Sequence, residues 1–210
     1  MSPQADAPHD RRTRLSPEDR RAQLIAHGVA ALADREFDAL TIEELSSRAG
    51  VSRTLFSHYF GSRQGFHAAV LQTATDAMLT ATAPRAELPP RERLVDTLRR
   101  TVEFVRGHGG TFTSFVRGTA SGDAAARELV EASRVTQAER VLKLFVEGGQ
   151  QPTRGLQIAV RAWIAFVEQT LIDAALGTDV TTDDLVSGLV DCLLAIAERT
   201  QPGSARALAR

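Results

Sequence analysis

The chain has 210 residues, of which 43% are hydrophobic and 24% are charged, and its formal net charge is −1. This composition is typical of a globular protein that buries a sizeable core. The net charge near zero excludes a general attraction of nucleic acid by the charge of the whole chain. The single cysteine, Cys192, excludes an intramolecular disulfide and fits a reducing compartment. The N-terminus is polar and no apolar run approaches the length of a membrane span, so we expect a cytoplasmic protein without membrane contact.

Helices make up the whole predicted secondary structure, because long alternations of Val, Ile and Tyr are almost absent. We expect an all-α fold of about nine helices. Residues 1–14 have few apolar side chains and include Arg11, Arg12 and Arg14, which predicts a disordered basic arm. A first helix is expected over residues 16–34, since Ser16 can cap it and Pro17 suits its first position.

Two short helices are predicted next, over residues 41–50 and 52–61. Thr41 and Glu44 have the spacing of a capping box, Gly50 supplies a tight turn, and Ser52 can cap the second of the two helices. Two short helices joined by a Gly-containing turn are the pattern of a helix-turn-helix. Neither helix is long enough to be stable alone, so both must pack on a shared core. Its expected members are Leu45, Ala49, Val51, Phe56 and Phe60.

The helix over residues 52–61 has two chemically different faces. Its aromatic side chains lie within one arc of the helix, with Leu55 at the edge of that arc. The opposite arc carries Arg53, Thr54, Ser57 and His58. These polar groups can hydrogen-bond base edges and phosphates in a major groove, and Leu55 is placed to meet a thymine methyl. The same polar face would also suit a helix that meets only water, and spacing alone leaves both interpretations open.

Further side chains flank this face and are candidates for contacts with the DNA backbone. A fourth helix is expected over residues 62–83, so its first turn lies beside the end of the preceding helix. Hydroxyl and guanidinium groups at helix starts and ends commonly bind phosphate. The candidates are Thr41, Ser52, Tyr59 and Arg63, and the basic arm over residues 1–14 could add minor-groove contacts.

Residues 41–66 read TIEELSSRAGVSRTLFSHYFGSRQGF, and this stretch resembles the DNA-binding signature of the TetR family of bacterial transcriptional regulators. Thr41, AGVS at 49–52, HYF at 58–60, Ser62 and Arg63 stand at the family's spacing. The resemblance implies a homodimer with a helix-turn-helix DNA-binding domain over residues 15–65 and a ligand-binding and dimerisation domain over residues 66–205. Two positions depart from the family's pattern: Ser57 stands where Tyr is usual, and Glu43 where Arg or Lys is common.

The second half of the chain follows a proline-containing linker over residues 83–90. Helices are expected over residues 90–106, 111–119, 123–147, 152–176 and 182–200. If the resemblance holds, these helices enclose an apolar or amphipathic small-molecule effector. The candidate lining residues are Phe104, Phe112, Phe115, Thr119, Phe145, Trp163, Phe166, Gln169 and Asp173. Each aromatic side chain could equally belong to the core, where such residues usually lie.

Two features of the last helices leave alternatives open. The helix over residues 152–176 is apolar nearly all round, and Glu168 and Asp173 interrupt it. A buried acid needs either an arginine partner or a cavity. In the helix over residues 182–200, a row of apolar residues could form a dimer seam or pack within the chain. The row consists of Leu185, Leu189, Leu193 and Ile196.

Other classes of function have less support in the sequence. None of the five His has the spacing of a metal site and no Gly-rich phosphate loop follows a strand, so neither catalysis nor a cofactor nor a metal is expected. A helical adaptor would not need Arg53, Thr54 and Arg63 aligned toward one surface. The sequence therefore favours a ligand-responsive repressor released from a palindromic DNA operator by its effector. The alternative is a helical small-molecule-binding or adaptor module.

Overall fold

Ten helices occur in the residues that the structure, a computed structural model, describes: 16–32, 41–118, 124–175, 177 and 179–208. The N-terminal helices are α1 (Pro17–Leu32), α2 (Ile42–Arg48), α3 (Arg53–Phe60) and α4 (Arg63–Ala81). The others are α5 (Pro90–Gly107), α6 (Gly109–Gly118), α7 (Ala124–Glu147), α8 (Arg154–Thr170), α9 (Thr182–Thr200) and α10 (Ser204–Leu208). A π-helical turn, Leu171–Ala175, continues α8. Within these ranges there is no strand, which confirms the all-α class.

Two details differ from the helices expected from the sequence. The short helix α10 was not expected; Leu208 is buried in the core, and Glu198 accepts two backbone N–H bonds, at 2.9 and 3.0 Å, from the start of this segment. The prediction that Gly109 lies in a break was wrong. The carbonyl of His108 accepts the N–H of Phe112 at 2.9 Å, so α6 begins directly after His108.

A first core lies among α1, α2, α3 and α4. The predicted shared core is confirmed, since Leu45, Ala49, Phe56 and Phe60 are buried and Val51 is packed against them. The turn between α2 and α3 contains Gly50 at φ 62°, a backbone conformation that residues other than glycine rarely adopt. A Cβ at Gly28 of α1 would lie 2.5 Å from Val70 of α4, so glycine permits the close approach of these two helices.

The two cores of the molecule meet along α4. Phe66 of α4 packs on Phe56 and Phe60, with ring centroids 4.9 and 4.8 Å apart, and Phe115 of α6 belongs to the same first core. A second core fills the space among α5, α7, α8, α9 and α10, and Met78 near the end of α4 is part of it. The helix α4 therefore contributes to both cores.

Candidate functional site

The polar face of α3 points away from the first core. Arg53, Thr54, Ser57 and His58 are exposed, and Leu55 at the edge of the face is 36% exposed. The prediction of one buried and one solvent-facing side is thus confirmed. Contact of this face with DNA stays a prediction at this point, because the same exposure suits a helix that meets only water.

Thr41 and Ser52, two candidates for backbone contacts, are helix caps. The Thr41 Oγ1 accepts the N–H of Glu44 at 3.1 Å, and the Ser52 Oγ accepts the N–H of Leu55 at 3.1 Å. Each hydroxyl keeps its own O–H as a donor, and both side chains are exposed. Capping and phosphate binding are therefore compatible at both positions.

Arg53 forms an ion pair with Glu43 across the surface of the helix-turn-helix. Both side chains are open to water, with 62% and 73% of their areas exposed. An exposed pair of this kind is worth about 0–1 kcal/mol, because solvent screens it and two side chains lose freedom. The pair therefore orients Arg53 but holds it only weakly, so a stronger hydrogen-bond acceptor can replace Glu43.

Tyr59 and Arg63 lie at the other end of the polar face. Both are half-buried, and the Tyr59 ring contacts His58 edge-on with centroids 5.8 Å apart. Arg63 is the first residue of α4, directly after the turn that ends α3. Tyr59 thus lies near the end of α3 and Arg63 directly beyond that end, as the sequence predicted. The basic arm over residues 1–14 falls outside the described residues.

A cavity with about 50 Å³ of free volume lies between α5, α7, α8 and the end of α4. Its walls are mostly apolar and include Leu94, Leu98, Val141, Leu144, Trp163 and Ile164. Sites that hold drug-sized ligands have volumes of roughly 300–1,000 Å³. An effector of that size would have to push these walls apart.

Polar side chains also line the cavity: Thr82, Arg93, Thr97, Thr101, Gln137 and Arg140. The Thr97 Oγ1 is buried and has no hydrogen-bond partner among the described residues. The Nη2 of Arg140 donates to the carbonyl of Leu79 in α4 at 3.1 Å. The pKa of Arg140 is lowered mainly by burial and, to a smaller extent, by the nearby positive charge of Arg100. The cavity therefore combines apolar walls with a partly desolvated cation.

A second arginine holds the end of α4 beside this cavity. Arg100 of α5 donates to the carbonyls of Ala81 at 2.6 Å and Ala83 at 2.8 Å, and it pairs with Asp96 at 2.7 Å. Cations are favourable at a helix C-terminus because its last carbonyls carry partial negative charge. Thr82, between these two carbonyls, lines the cavity. The end of α4 and the cavity are thus one structural unit.

Of the candidate effector residues that the structure describes, Trp163 alone lines this cavity. Phe112 and Phe145 are buried in the second core, whereas Phe115 belongs to the first. Phe104 is only partly buried and packs against the second core. These aromatic side chains therefore contribute to packing, and an effector contact at any of them stays a prediction.

The remaining candidates lie on the outside of α8 and the turn that follows it. Phe166 is 47% exposed. Gln169 and Asp173 are exposed and bonded to each other, with Nε2 to carboxylate distances of 2.8 and 2.9 Å. Thr119 falls outside the described residues. None of the three described side chains here lines the cavity beside Trp163.

Glu168 has the arginine partner that a buried acid requires. Its side chain is 5% exposed and accepts hydrogen bonds from the Nε of Arg134 at 2.9 Å and the Nη2 at 2.6 Å. These bonds raise the pKa of Arg134 above its usual value. The pair ties α7 to α8, so of the two alternatives for Glu168 the arginine pair is the one observed.

The row of apolar residues in α9 packs within the chain. Leu185, Leu189 and Leu193 are buried, and the indole N–H of Trp163 donates to the carbonyl of Leu189 at 3.0 Å. Ile196 is partly buried against the same core. Because Leu185, Leu189 and Leu193 are buried within the chain, they cannot also form a dimer interface. Only Ile196 of this row keeps an exposed edge.

A different apolar stripe is exposed along α8. Ile158 is 56% exposed and Phe166 is 47% exposed, and the exposed Ala162 lies between them at intervals of four residues. Large apolar side chains in a row on a surface are typical of interaction sites. This stripe is the best candidate in the described chain for contact with a second copy.

Neither a metal-binding cluster nor a membrane-spanning helix occurs in the described ranges. There, no three His, Cys, Asp or Glu side chains lie close enough together to hold a metal ion. No helix in these ranges has both the length and the apolar composition needed to span a bilayer.

Two family models match the chain. Residues 24–70 match the model for bacterial regulatory proteins of the tetR family. Residues 90–196, just over half of the chain, match the model for the tetracyclin repressor-like C-terminal domain. The first match covers α2 and α3, and the second covers α5, α7 and α8 beside the cavity.

Curated relatives resemble part of the chain. The HTH-type transcriptional activator FasR of Mycolicibacterium smegmatis is 30% identical over 97 residues, which are 45% of this chain and 44% of FasR. The HTH-type transcriptional regulator EthR of Mycobacterium tuberculosis is 32% identical over 135 residues, 63% of this chain and 60% of EthR. The chain thus matches less than two thirds of the length of either relative.

Solved structures resemble nearly the whole fold. A tetR-family transcriptional regulator from Streptomyces coelicolor superposes with a TM-score of 0.80 at 27% identity, covering 93% of this chain and 89% of that one. A TetR-like transcriptional regulator from Rhodococcus sp. RHA1 has a TM-score of 0.66 at 22% identity, covering 90% and 100%, and shows the same fold. With both family models matched and the helix-turn-helix in place, the chain belongs to the TetR family of bacterial transcriptional regulators.

Proposed function

We propose that the protein is a ligand-responsive transcriptional repressor that binds a palindromic operator as a homodimer and leaves it when an effector enters the cavity beside Trp163. The path of α4 is the observation that supports this most. Phe66 near its start packs under α3, and Thr82 just after its end lines the cavity. One helix therefore joins the candidate DNA-binding face to the candidate effector site.

The exposed face of α3 supports the DNA-binding part of the proposal. In a dimer, two such helices enter successive major grooves about 34 Å apart. Arg53 and Thr54 lie at the N-terminal end of α3, the part of a recognition helix that contacts bases. Thr41, Tyr59 and Arg63 flank it and would bind phosphates.

The small volume of the cavity supports the response to an effector. With about 50 Å³ free, the walls have to separate before a larger molecule fits. Because Thr82 forms part of the wall, that separation displaces the end of α4. A displaced α4 changes the spacing between the two α3 helices, so effector and operator favour different states and each weakens the binding of the other by the same factor.

The exposed stripe on α8 supports the homodimer. Ile158, Ala162 and Phe166 form one row, and the same row on a second copy would cover it across a two-fold axis. Since α8 packs on α9, this contact would assemble four helices into a bundle. A dimer of this kind in the cytoplasm has access to the DNA that it would bind.

Selection of bound sequences from a random duplex pool tests the proposal. The selection should use near-physiological salt, because phosphate contacts dominate affinity at low salt. We expect a palindrome whose half-sites are about one helical turn apart. A folded, dimeric protein that enriches no sequence would contradict the proposal.

A promoter fusion that carries the selected palindrome then tests the sign of regulation. Repression predicts that the protein lowers expression and that an effector restores it. Higher expression in the presence of the protein would contradict repression and indicate activation, the role printed in the name of FasR.

A further inference from the structure

We propose that the effector is an amphipathic small molecule with one carboxylate, and that this carboxylate binds Arg140 and thereby removes Arg140 from α4. The inference rests on the proposed function, because it assigns a ligand class to the same cavity. Three observations within the described residues carry it: the charge of Arg140 has no anionic partner there, the hydroxyl of Thr97 has no hydrogen-bond partner there, and Arg140 bonds to the Leu79 carbonyl.

Arg140 differs from the arginines around it. Its single hydrogen bond within the described chain joins Nη2 to the carbonyl of Leu79 at 3.1 Å, and no acidic side chain there lies within salt-bridge distance. The neighbouring arginines each have a carboxylate: Arg93 pairs with Glu147 at 2.7 Å, and Arg85 and Arg100 pair with Asp96 at 3.1 and 2.7 Å. Of the two arginines that line this cavity, Arg140 is therefore the one without an anionic partner among the described residues.

The environment of Arg140 favours an incoming anion. Burial and the nearby charge of Arg100 both disfavour the charged guanidinium, and this is why its pKa is lowered. An arginine nevertheless stays charged at neutral pH. Its fork of N–H donors matches the two oxygens of a carboxylate, and such a pair would relieve both penalties. A neutral ligand would leave the charge uncompensated.

The rest of the cavity fits the two ends of an amphipathic molecule. Thr97 lines it from α5, and its buried Oγ1 has no hydrogen-bond partner in the described residues, so it can donate to a carboxylate oxygen. The walls beside Trp163, Leu98 and Leu144 are apolar and suit a hydrocarbon chain. A carboxylate with an aliphatic tail satisfies each of these groups.

The same guanidinium would then connect the ligand to α4. Leu79 lies in the last turn of α4, and Arg140 donates to its carbonyl. The bond to Leu79 uses one of the five N–H donors of Arg140, so a carboxylate can bind the others. If the carboxylate draws the guanidinium into the cavity, that bond breaks and, of the two arginines, only Arg100 still holds the end of α4. The ligand and the end of α4 thus compete for the position of one side chain, and the carboxylate favours release of α4.

Fluorescence of Trp163 measures occupancy directly, because it is the only tryptophan in the chain and it lines the cavity. The wild-type protein is titrated with octanoate and with 1-octanol, which has the same chain without the charge. We expect octanoate to bind at least tenfold more tightly than 1-octanol. From butyrate to octanoate, we expect affinity to rise roughly fourfold per methylene as apolar surface is buried.

Two matched variants assign the preference to Arg140. In Arg140→Gln, octanoate should bind no more tightly than 1-octanol, and retained binding of 1-octanol shows that the cavity is intact. Lys143→Gln removes one positive charge from the same helix at a side chain that is 75% exposed, and it should keep the preference. Equal affinities in the wild type, an unchanged preference in Arg140→Gln, or no response to octanoate would each overturn the inference.

Operator selection separates this inference from the function on which it rests. If a palindrome is selected and octanoate binds no more tightly than 1-octanol, the DNA-binding function stands and the carboxylate ligand is rejected. If octanoate is preferred through Arg140 but no sequence is selected, the ligand class stands and the DNA-binding function is rejected.

Discussion

Glu43 of α2 forms an ion pair with Arg53 of α3. Glu43 is the acidic residue that stands where the family commonly has a cation, and Arg53 is the side chain that we expect to read bases. The pair explains how the acid is tolerated at this surface, because it is matched by a cation in the free protein. It also means that Arg53 must exchange one anionic partner for another when it meets DNA.

Glu43→Gln should strengthen binding to every duplex by up to about fivefold. The substitution removes a charge that repels phosphate and a pair worth up to about 1 kcal/mol that must break on binding. Fluorescence anisotropy at several salt concentrations measures the effect. Glu44→Gln is the control, since Glu44 pairs with Arg48 on its own helix at 3.3 Å. Equal effects of both substitutions would show that the pair with Arg53 plays no part.

Arg63→Ala should weaken binding evenly across DNA sequences. Arg63 lies at the start of α4 beside α3, where a guanidinium would neutralise a phosphate and not a base. Loss of one phosphate contact should lower the slope of log affinity against log salt by about 1. Gln64→Ala, at the exposed neighbouring position, should leave the slope unchanged. A loss confined to particular sequences would contradict the phosphate role.

Arg134→Met should lower the free energy of unfolding by about 2–4 kcal/mol, because it leaves the buried carboxylate of Glu168 without its partner. Urea denaturation measures the change. The double variant Arg134→Met with Glu168→Leu should recover most of the loss, since no buried charge remains. Recovery would show that the pair joins α7 to α8 without being needed for stability.

The exposed pair between Arg161 and Glu131 is the matched control for that experiment, because it joins the same two helices. Both side chains are about half exposed, at 53% and 48%. Arg161→Met should therefore cost less than about 1 kcal/mol. A cost equal to that of Arg134→Met would contradict burial as the cause.

Ile158→Glu should convert the proposed dimer to a monomer. It places a charge at one end of the exposed α8 stripe, where an interface between two copies would bury it without a partner. Light scattering after size-exclusion chromatography measures the mass. Val146→Glu is the control, since Val146 of α7 is 44% exposed and lies outside the stripe. A dimer that survives Ile158→Glu would contradict the proposed interface.

The helix-turn-helix was predictable because its signals are local. Ser52 caps α3, Gly50 adopts the positive φ of the turn, and the arc containing Phe56 is buried, all within a few residues of chain. The start of α6 was not predictable from the same signals. Glycines at 109 and 110 favour a break between helices, but the carbonyl of His108 accepts the N–H of Phe112 and begins the helix there.

The cavity was less predictable because it depends on contacts between distant segments. Thr97 lies on α5 and Arg140 on α7, and the sequence alone does not distinguish a polar residue at a cavity from one in water. Large aromatic residues were the available signal. Phe112 and Phe145 fill the core, as most buried aromatic residues do. Of the described candidates, Trp163 alone lines this cavity.

The central claim is that the exposed face of α3 reads DNA sequence, and operator selection repeated with Arg53→Ala tests it most directly. We predict that the variant still selects a palindrome but loses base preference at one symmetric position in each half-site, a loss of about 1–3 kcal/mol of discrimination there. The other positions should be unchanged. Selection of the same palindrome with full preference at every position would contradict base reading by Arg53.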